Sequence, residues 1–122
     1  MVNPVIVVKV DGRVVARGEL ADTWPRRLRG LLGRTPLPAA LVLRPESSVH
    51  GIGMRQPLDV AVLAADGKVL ATHVLRPWRA TRPVRGGAAV VEAPAGSFAR
   101  WGLHAGSTVT TGPPVERAAH PG

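Results

Sequence analysis

Glycine and proline are spread along the whole chain, and this distribution constrains the fold more than any other feature. The 122 residues include 14 glycines and 12 prolines, which separate short runs of apolar residues. Proline fixes φ and lacks an N–H, and glycine weakens the interior of a regular element, so long helices are disfavoured. The sequence therefore predicts a mainly β fold made of many short strands.

Two hairpins are predicted from turn residues that lie between apolar runs. Asp11-Gly12 separates residues 5–10 from residues 13–20, and this dipeptide tolerates the positive φ values of a two-residue hairpin turn. A second hairpin joins residues 58–64 to residues 68–75 around Ala65-Asp66-Gly67. Both strands of this second hairpin carry apolar residues at adjacent as well as alternate positions. This pattern predicts burial on both faces and a central place in the sheet.

One segment has a helical pattern, at about residues 23–33. Thr23 offers an N-cap hydroxyl, Pro25 suits the first turn, and apolar residues recur from Trp24 to Leu32 with helical spacing. A shorter helical turn is predicted at residues 97–101, with Ser97 as its capping residue. Further strands are predicted at residues 40–43, 48–52, 88–93 and 107–111.

The length of the chain and its cysteine content limit its organisation. A chain of 122 residues suits one core, so we expect a single domain over residues 1–112 and a flexible C-terminal tail over residues 113–122. The absence of cysteine excludes disulfides, thiolate metal sites and a cysteine nucleophile. Apolar runs are far shorter than the roughly 20 residues of a membrane helix, and the N-terminus lacks the pattern of a signal peptide. We therefore expect a cytoplasmic protein without a membrane span.

The charge balance permits an anionic partner. Sixteen basic and eight acidic residues give a formal net charge of +8. Four arginines recur at a spacing of three residues and are called the arginine strip below: Arg76, Arg79, Arg82 and Arg85. An extended polyproline-II path, favoured by Pro77 and Pro83, would place their guanidinium groups along one edge.

The arginine strip and Trp78 have the chemistry to bind phosphates and a stacked base, so nucleic acid or another polyanion is one candidate partner. The alternatives are a solvated loop that Trp78 anchors to the core, or a surface for a protein partner. No helix-turn-helix, zinc finger or RNA-recognition signature supports sequence-specific nucleic-acid binding.

A second candidate region contains His50, Met54, Arg55 and Asp59, with Ser47 and Ser48 nearby. A serine, a histidine and an aspartate together invite a hydrolase hypothesis, but no G-x-S-x-G motif is present. Capping of a turn by Asp59, or its pairing with an arginine, is the simpler interpretation. A pocket that contacts a small ligand is the intermediate one.

The sequence gives no pattern for a metal site. The histidines have no H-x-x-x-H or similar spacing, and we predict neither a metal site nor a cofactor.

Glu92 interrupts an apolar strand, so it must face solvent or be paired. We expect a salt bridge between Glu92 and an arginine.

Six short motifs, in order, resemble the domain of unknown function 192 (DUF192) family of small bacterial and archaeal proteins. They are R-x-R-G-L-L-G-R-x-x-L from Arg27 to Leu37, G-M-R-Q-P-L-D from Gly53, D-G-K-V from Asp66, R-P-W-R from Arg76, V-E-A-P-A-G from Val91 and G-L-H-A-G-S-T-V from Gly102. The chain departs from the family's aromatic-Trp-Met-x-Asn-Thr box, which reads Gly51-Ile52-Gly53-Met54-Arg55-Gln56 here. A ligand carried by the Trp, Asn and Thr of that box would be lost or changed.

The resemblance implies a compact β-sandwich or flattened β-barrel with one short helix, and no settled activity. With the residues considered above, it favours a non-catalytic binding or accessory module that is a monomer or weak dimer. Its expected contact surface combines the arginine strip with the region from His50 to Asp59. The alternative is a small enzyme or small-ligand receptor that uses the His50–Asp59 region.

Overall fold

A computed structural model describes residues 3–23, 26, 37–50 and 54–114 of the chain. These residues form seven strands and one short helix. In chain order the elements are β1 (Val5–Val10), β2 (Arg13–Ala21), β3 (Leu41–Leu43), β4 (Leu58–Leu63), β5 (Val69–Leu75), β6 (Ala89–Pro94), α1 (Ser97–Trp101) and β7 (Val109–Gly112). The prediction of a mainly β protein is confirmed.

All seven strands belong to one sheet, in the order β5-β4-β6-β3-β2-β1-β7. In the described part of the chain β2 and β3 pair in parallel, and the other neighbouring strands pair antiparallel. The sheet curls into a half-barrel. The start of β5 meets the segment that leads into β7: the Val69 N–H donates to the Ser107 carbonyl oxygen at 2.8 Å, and the Val109 N–H donates to the Gly67 carbonyl oxygen at 2.9 Å. These bonds join the two edges of the curl at one end.

Both predicted hairpins form at the expected turns. Asp11 (φ 49°) and Gly12 (φ 84°) both have positive φ, as the two central residues of a type I′ turn require. In the second turn Gly67 has a φ of 90°, and Asp66 Oδ1 accepts a hydrogen bond from the Lys68 N–H at 3.0 Å. Local turn chemistry therefore sets the register of β1 with β2 and of β4 with β5.

The positions of two predicted strands are corrected. β4 is buried along its whole length, as predicted, but β5 lies at the edge of the sheet and exposes most of its side chains, so the prediction that both are central was wrong for β5. Residues 48–50 form no strand, because His50 makes only an isolated bridge with Ala80. The strands predicted at residues 40–43, 88–93 and 107–111 are present as β3, β6 and β7.

Helix α1 lies where the short helical turn was predicted, but its capping differs. Gly96, with a φ of 93°, is the N-cap residue, and no side chain of the cap position contributes a hydrogen bond. Ser97 instead donates its hydroxyl hydrogen to the Pro94 carbonyl oxygen at 2.6 Å. The helix packs Phe98 against Trp101, with ring centroids 5.6 Å apart.

Two earlier predictions fall largely outside the described residues. Of the helix predicted at about residues 23–33, only Thr23 and Arg26 are described, and the Arg26 N–H donates to Thr23 Oγ1 at 3.4 Å. Of the tail predicted at residues 113–122, only residues 113 and 114 are described. No helix among the described residues is long and apolar enough to cross a membrane.

The two faces of the sheet are covered by different apolar clusters. The inner cluster joins both ends of the sheet, includes Val10, Val69 and Val109, and is capped by Phe98 and Trp101 of α1. The outer cluster lies on the opposite face of the central strands. It is covered by Met54 and by three partly buried residues from irregular segments: Leu37, Val49 and Val84. These irregular segments carry most of the candidate site residues.

Candidate functional site

The structure brings the two candidate regions side by side through a pairing that the sequence did not indicate. The Thr81 N–H donates to the Val49 carbonyl oxygen at 2.8 Å, and the Val49 N–H donates to Thr81 Oγ1 at 2.9 Å. The Val84 N–H donates to the Ser47 carbonyl oxygen at 3.2 Å. As a result, His50 lies opposite Ala80, within the segment that carries the arginine strip.

All four side chains of the arginine strip are exposed, but the backbone beneath them is not one polyproline-II path. The Arg79 N–H donates to the Arg76 carbonyl oxygen at 3.1 Å, and Trp78 has a φ of 65°, so residues 76–79 form a turn. A second turn follows, in which the Gly87 N–H donates to the Val84 carbonyl oxygen at 2.9 Å. The predicted continuous extended path is therefore wrong, because turns lie at residues 76–79 and 84–87.

Trp78 does not anchor this loop to the core. Its side chain is 68% exposed, and its left-handed φ is uncommon for a residue other than glycine. The alternative in which Trp78 holds the loop against the core is therefore wrong. The turn presents a large aromatic surface to solvent next to two guanidinium groups.

In the part of the chain that the structure describes, the exposed guanidinium groups of this surface are not neutralised by carboxylates. Across the described residues, neither a side chain of the arginine strip nor the exposed Arg55 side chain forms an ion pair or a hydrogen bond, whereas Arg26 pairs with Asp22 at 3.2 Å. Each unpaired guanidinium offers five donors in a planar fork that matches phosphate or carboxylate oxygens. The surface therefore has the chemistry to bind an anion.

Met54 and Asp59 have structural roles in the fold. Met54 is buried in the outer cluster. Asp59 is only 7% exposed, and its Oδ2 accepts hydrogen bonds from the Gly96 and Phe98 N–H groups, both at 3.0 Å. The carboxylate thus caps the N-terminus of α1 from a strand that is distant in sequence, which agrees with the capping interpretation of Asp59.

Asp59 and His50 do not come together as a catalytic pair. Along β4, Leu58 and Val60 belong to the outer cluster and Ala61 belongs to the inner one, so the Asp59 side chain lies on the inner face. His50 lies with the irregular segments over the outer face, opposite Ala80. The hydrolase hypothesis therefore lacks the contact between base and orienting carboxylate that it requires.

A small open cleft lies beside Asp59, between α1 and the edge strand β5. Its volume is about 260 Å³. The cleft is lined by residues of β4, β5 and the segment around α1: Asp59, Thr72, His73, Val74, Gly96, Phe98, Ala99 and Leu103. This volume is below the usual range of small-molecule pockets. Sequence patterns gave no signal for it, because its walls are distant along the chain.

Glu92 differs most from its predicted environment. Its side chain is 4% exposed and lies on the outer face of β6, between Leu41 of β3 and Val60 of β4. Among the described residues no cation pairs with it, so the predicted salt bridge to an arginine is not found. Desolvation by burial raises the pKa of Glu92 from 4.5 to about 7.

In the described part of the chain, no group of three or more potential ligand side chains could hold a metal ion. His104 uses Nδ1 to contact the Ala105 carbonyl oxygen at 2.9 Å, and His73 lies exposed on β5.

Comparisons with known proteins agree with this fold. The family model DUF192, described as "Uncharacterized ACR, COG1430", matches residues 6–111. A UPF0127 protein of Pyrococcus furiosus is 36% identical over 81 residues, which cover 62% of this chain and 70% of that protein. A UPF0127 protein of Thermococcus sibiricus is 30% identical over 123 residues, which cover 95% of this chain and 80% of that protein.

Two solved structures share the fold. A Sinorhizobium meliloti protein that is proposed to be a transcription regulator matches with a TM-score of 0.77 and 21% identity, over 91% of this chain and 96% of that chain. A protein of unknown function from Novosphingobium aromaticivorans matches with a TM-score of 0.72 and 26% identity, over 90% of this chain and 91% of that chain.

Proposed function

Because this chain belongs to the DUF192 family, which is uncharacterised, we propose its function from its own surface: it is a non-catalytic binding module that contacts an anionic polymer through the arginine strip. The observation that carries this proposal is the arrangement of four exposed arginines around a segment held by Val49 and Thr81, with no carboxylate partner among the described residues. Charge that is not neutralised within the fold is available to a partner.

Nucleic acid is the polymer that this surface fits best. Trp78 is exposed between Arg76 and Arg79, and an aromatic ring next to guanidinium groups provides both stacking and phosphate contacts. Other polyanions lack bases and would use only the charges. Single-stranded nucleic acid, whose bases are free to stack, is therefore expected to bind more tightly than a duplex.

The alternative function, a small enzyme or small-ligand receptor in the His50–Asp59 region, is less well supported. Asp59 Oδ2 is bonded to two backbone N–H groups of α1, and Met54 is part of the outer cluster. A receptor or enzyme would need these side chains to be directed into a common pocket.

Fluorescence anisotropy with labelled single-stranded and duplex oligonucleotides tests the proposal. If the four strip arginines neutralise four phosphates of a duplex, log affinity falls with log salt concentration at a slope of about −3.6. Affinity then falls by about 150-fold between roughly 50 and 200 mM salt. Absence of binding at the lower salt concentration contradicts the proposal.

A matched pair of variants separates the arginine strip from net charge. One variant changes the four strip arginines to glutamine, and the control changes four exposed basic residues elsewhere: Lys9, Arg17, Lys68 and Arg100. Both variants remove the same charge, so a specific strip predicts loss of binding in the first variant alone. Equal losses in both variants would assign the binding to overall charge. Equal affinities for single-stranded oligonucleotides and for polyphosphate would show that Trp78 does not contribute stacking on bases.

A further inference from the structure

Within the described residues, strand β5 has an edge without a pairing strand over most of its length. On the side of β5 that faces away from β4, the backbone of Val69 is bonded to Ser107 and Gly106. The neighbouring segment then leads away from β5 toward α1. The Ala64 N–H donates to the Lys68 carbonyl oxygen at 2.9 Å, so Ala64 faces β5, and every second residue before it on β4 does the same. The bonded partners on β5 are therefore Ala71, His73 and Leu75. The N–H and C=O groups of Thr72 and Val74 therefore point away from β4. Within the described residues these groups have no backbone partner.

Apart from the bulge opposite Val62 and Leu63, where Leu70 is the extra residue, the described residues give this edge none of the features that keep strand edges from pairing. Folded proteins protect such edges with charged residues, prolines or a covering segment. The sequence of β5, VLATHVL, contains no acidic residue, lysine, arginine or proline, and Val74 is 64% exposed. The open cleft of about 260 Å³ lies on the same side of the strand as Thr72 and Val74. An edge of this kind, without acidic residues, lysine, arginine or proline, is suited to receive another strand.

The edge is complementary to a second copy of itself. In an antiparallel pair centred on His73, Thr72 of one copy lies opposite Val74 of the other. Each such pair exchanges two backbone hydrogen bonds, or about four for the whole contact. No lysine, arginine, aspartate or glutamate lies in either β5 strand, and the two His73 residues lie opposite each other at the centre. The Thr72 and Val74 side chains of each copy would lie toward the other copy's cleft, where Phe98 and Leu103 offer apolar contact.

We propose that two copies of this chain pair through their β5 edges, antiparallel about His73, to form a symmetric dimer with one continuous sheet. The contact is limited to one strand and the rim of the cleft, which is smaller than the roughly 1,200 Å² of a stable interface. The dimer is therefore weak and depends on concentration.

Sedimentation velocity over about 10 µM to about 1 mM protein tests this contact. The weight-average mass should rise from 12.8 kDa toward twice that value. Val74→Lys should keep the protein at the mass of one chain. Val14→Lys is the matched control, because Val14 is a strand valine that is 61% exposed and lies away from this edge. A constant mass of one chain for the unmodified protein, or equal weakening by both variants, overturns the proposal.

A disulfide between two introduced cysteines tests the register of the pair, and it does not depend on a substitution that weakens the contact. The chain contains no cysteine, so His73→Cys introduces a single thiol at the centre of the proposed pair. Residues opposite each other in a pair that is not hydrogen-bonded have Cα atoms about 4.5 Å apart, which suits a disulfide. The His73→Cys protein should form a covalent dimer at least about ten-fold faster than Val14→Cys under the same oxidant. Equal rates would exclude this register.

Discussion

At residue 92 the chain places a carboxyl group between two aliphatic side chains, where burial opposes its ionisation. The pKa of Glu92 is about 7 in the folded protein against 4.5 as the ordinary value. Between these two pH values the folded state holds the proton and the unfolded state releases it. The contribution of Glu92 to stability is therefore fully present below about pH 4.5 and is lost as the pH rises to about 7.

Glu92→Gln should remove this pH dependence. Glutamine has nearly the same shape and carries no charge, so the variant should be more stable than the unmodified protein above pH 7. A difference of about 2.5 pH units corresponds to about 3 kcal/mol at pH 8, and to much less near pH 4.5. Urea unfolding at both pH values measures this, with Asp66→Asn on the surface turn as the control. Parallel pH curves for the unmodified protein and Glu92→Gln would contradict the role of Glu92.

Asp59 provides the other buried carboxylate, and here every contact is structural. Asp59→Ala leaves the exposed Gly96 N–H and the buried Phe98 N–H without their acceptor. We expect a loss of about 2 kcal/mol in the free energy of unfolding, because an unmade buried hydrogen bond carries the desolvation penalty of the donor. Asp59→Asn retains an amide oxygen and should lose less than about half of this. Equal losses in the two variants would argue against capping as the role of this side chain.

Gly67 controls how the two edges of the sheet meet. It has a φ of 90°, and a Cβ atom there would collide with the Val109 carbonyl oxygen, in the segment that closes the curl. Gly12 has a similar φ of 84° and open space around the same position. Gly67→Ala therefore combines backbone strain with a steric clash, whereas Gly12→Ala has the strain alone.

The difference in stability between these two alanine variants measures the contribution of the contact that joins the two edges of the sheet. Backbone strain alone should destabilise Gly12→Ala by about 1–2 kcal/mol. Gly67→Ala should lose a further 1–3 kcal/mol or so, as in an overpacked core. Hydrogen exchange should locate the extra effect at the amides of Val69 and Val109, which bond across the closure. Equal destabilisation, with those amides still protected, would mean that this contact is not needed to close the sheet.

The elements that sequence predicted are those whose signals are local. Asp11-Gly12 and Gly67 specify their turns by φ alone, so both hairpins were predictable. The central burial expected of β5 was not found, because strand order depends on which distant segment pairs on each side of it. The hydrogen bonds of Asp59 were likewise not predictable in detail, because its partners Gly96 and Phe98 are more than 35 residues away along the chain.

The candidate surface was predictable only as a set of residues. The four arginines of the strip are all exposed, but their spacing of three residues did not predict the turn at residues 76–79 that interrupts the expected path. Its attachment to the His50 region depends on Thr81, a residue that has no distinguishing sequence pattern. Exposure of Trp78 likewise depends on a left-handed backbone that the sequence around it does not specify.

In the whole molecule, the arginine strip and the free edge are consecutive, since β5 ends at Leu75 and the strip begins at Arg76. In the proposed dimer, Arg76 of one copy lies opposite residue 70 of the other, so the two Arg76 residues are separated by six positions along the strands. At about 3.4 Å per residue this separation is about 20 Å. One anionic strand of more than about six nucleotides could therefore contact both strips.

Binding and pairing should then strengthen each other, because a polymer that spans both strips binds the dimer more tightly than the monomer. An oligonucleotide of about 20 nucleotides should bind at least about ten-fold more tightly than one of about five, beyond the effect of the number of sites. Val74→Lys should abolish this advantage, whereas Val14→Lys, which adds the same charge away from the edge, should keep it. Anisotropy titrations of the three proteins with both lengths decide the matter. If Val74→Lys weakens both lengths equally, the edge contributes to binding directly and not through pairing. If it weakens neither, the two surfaces act independently.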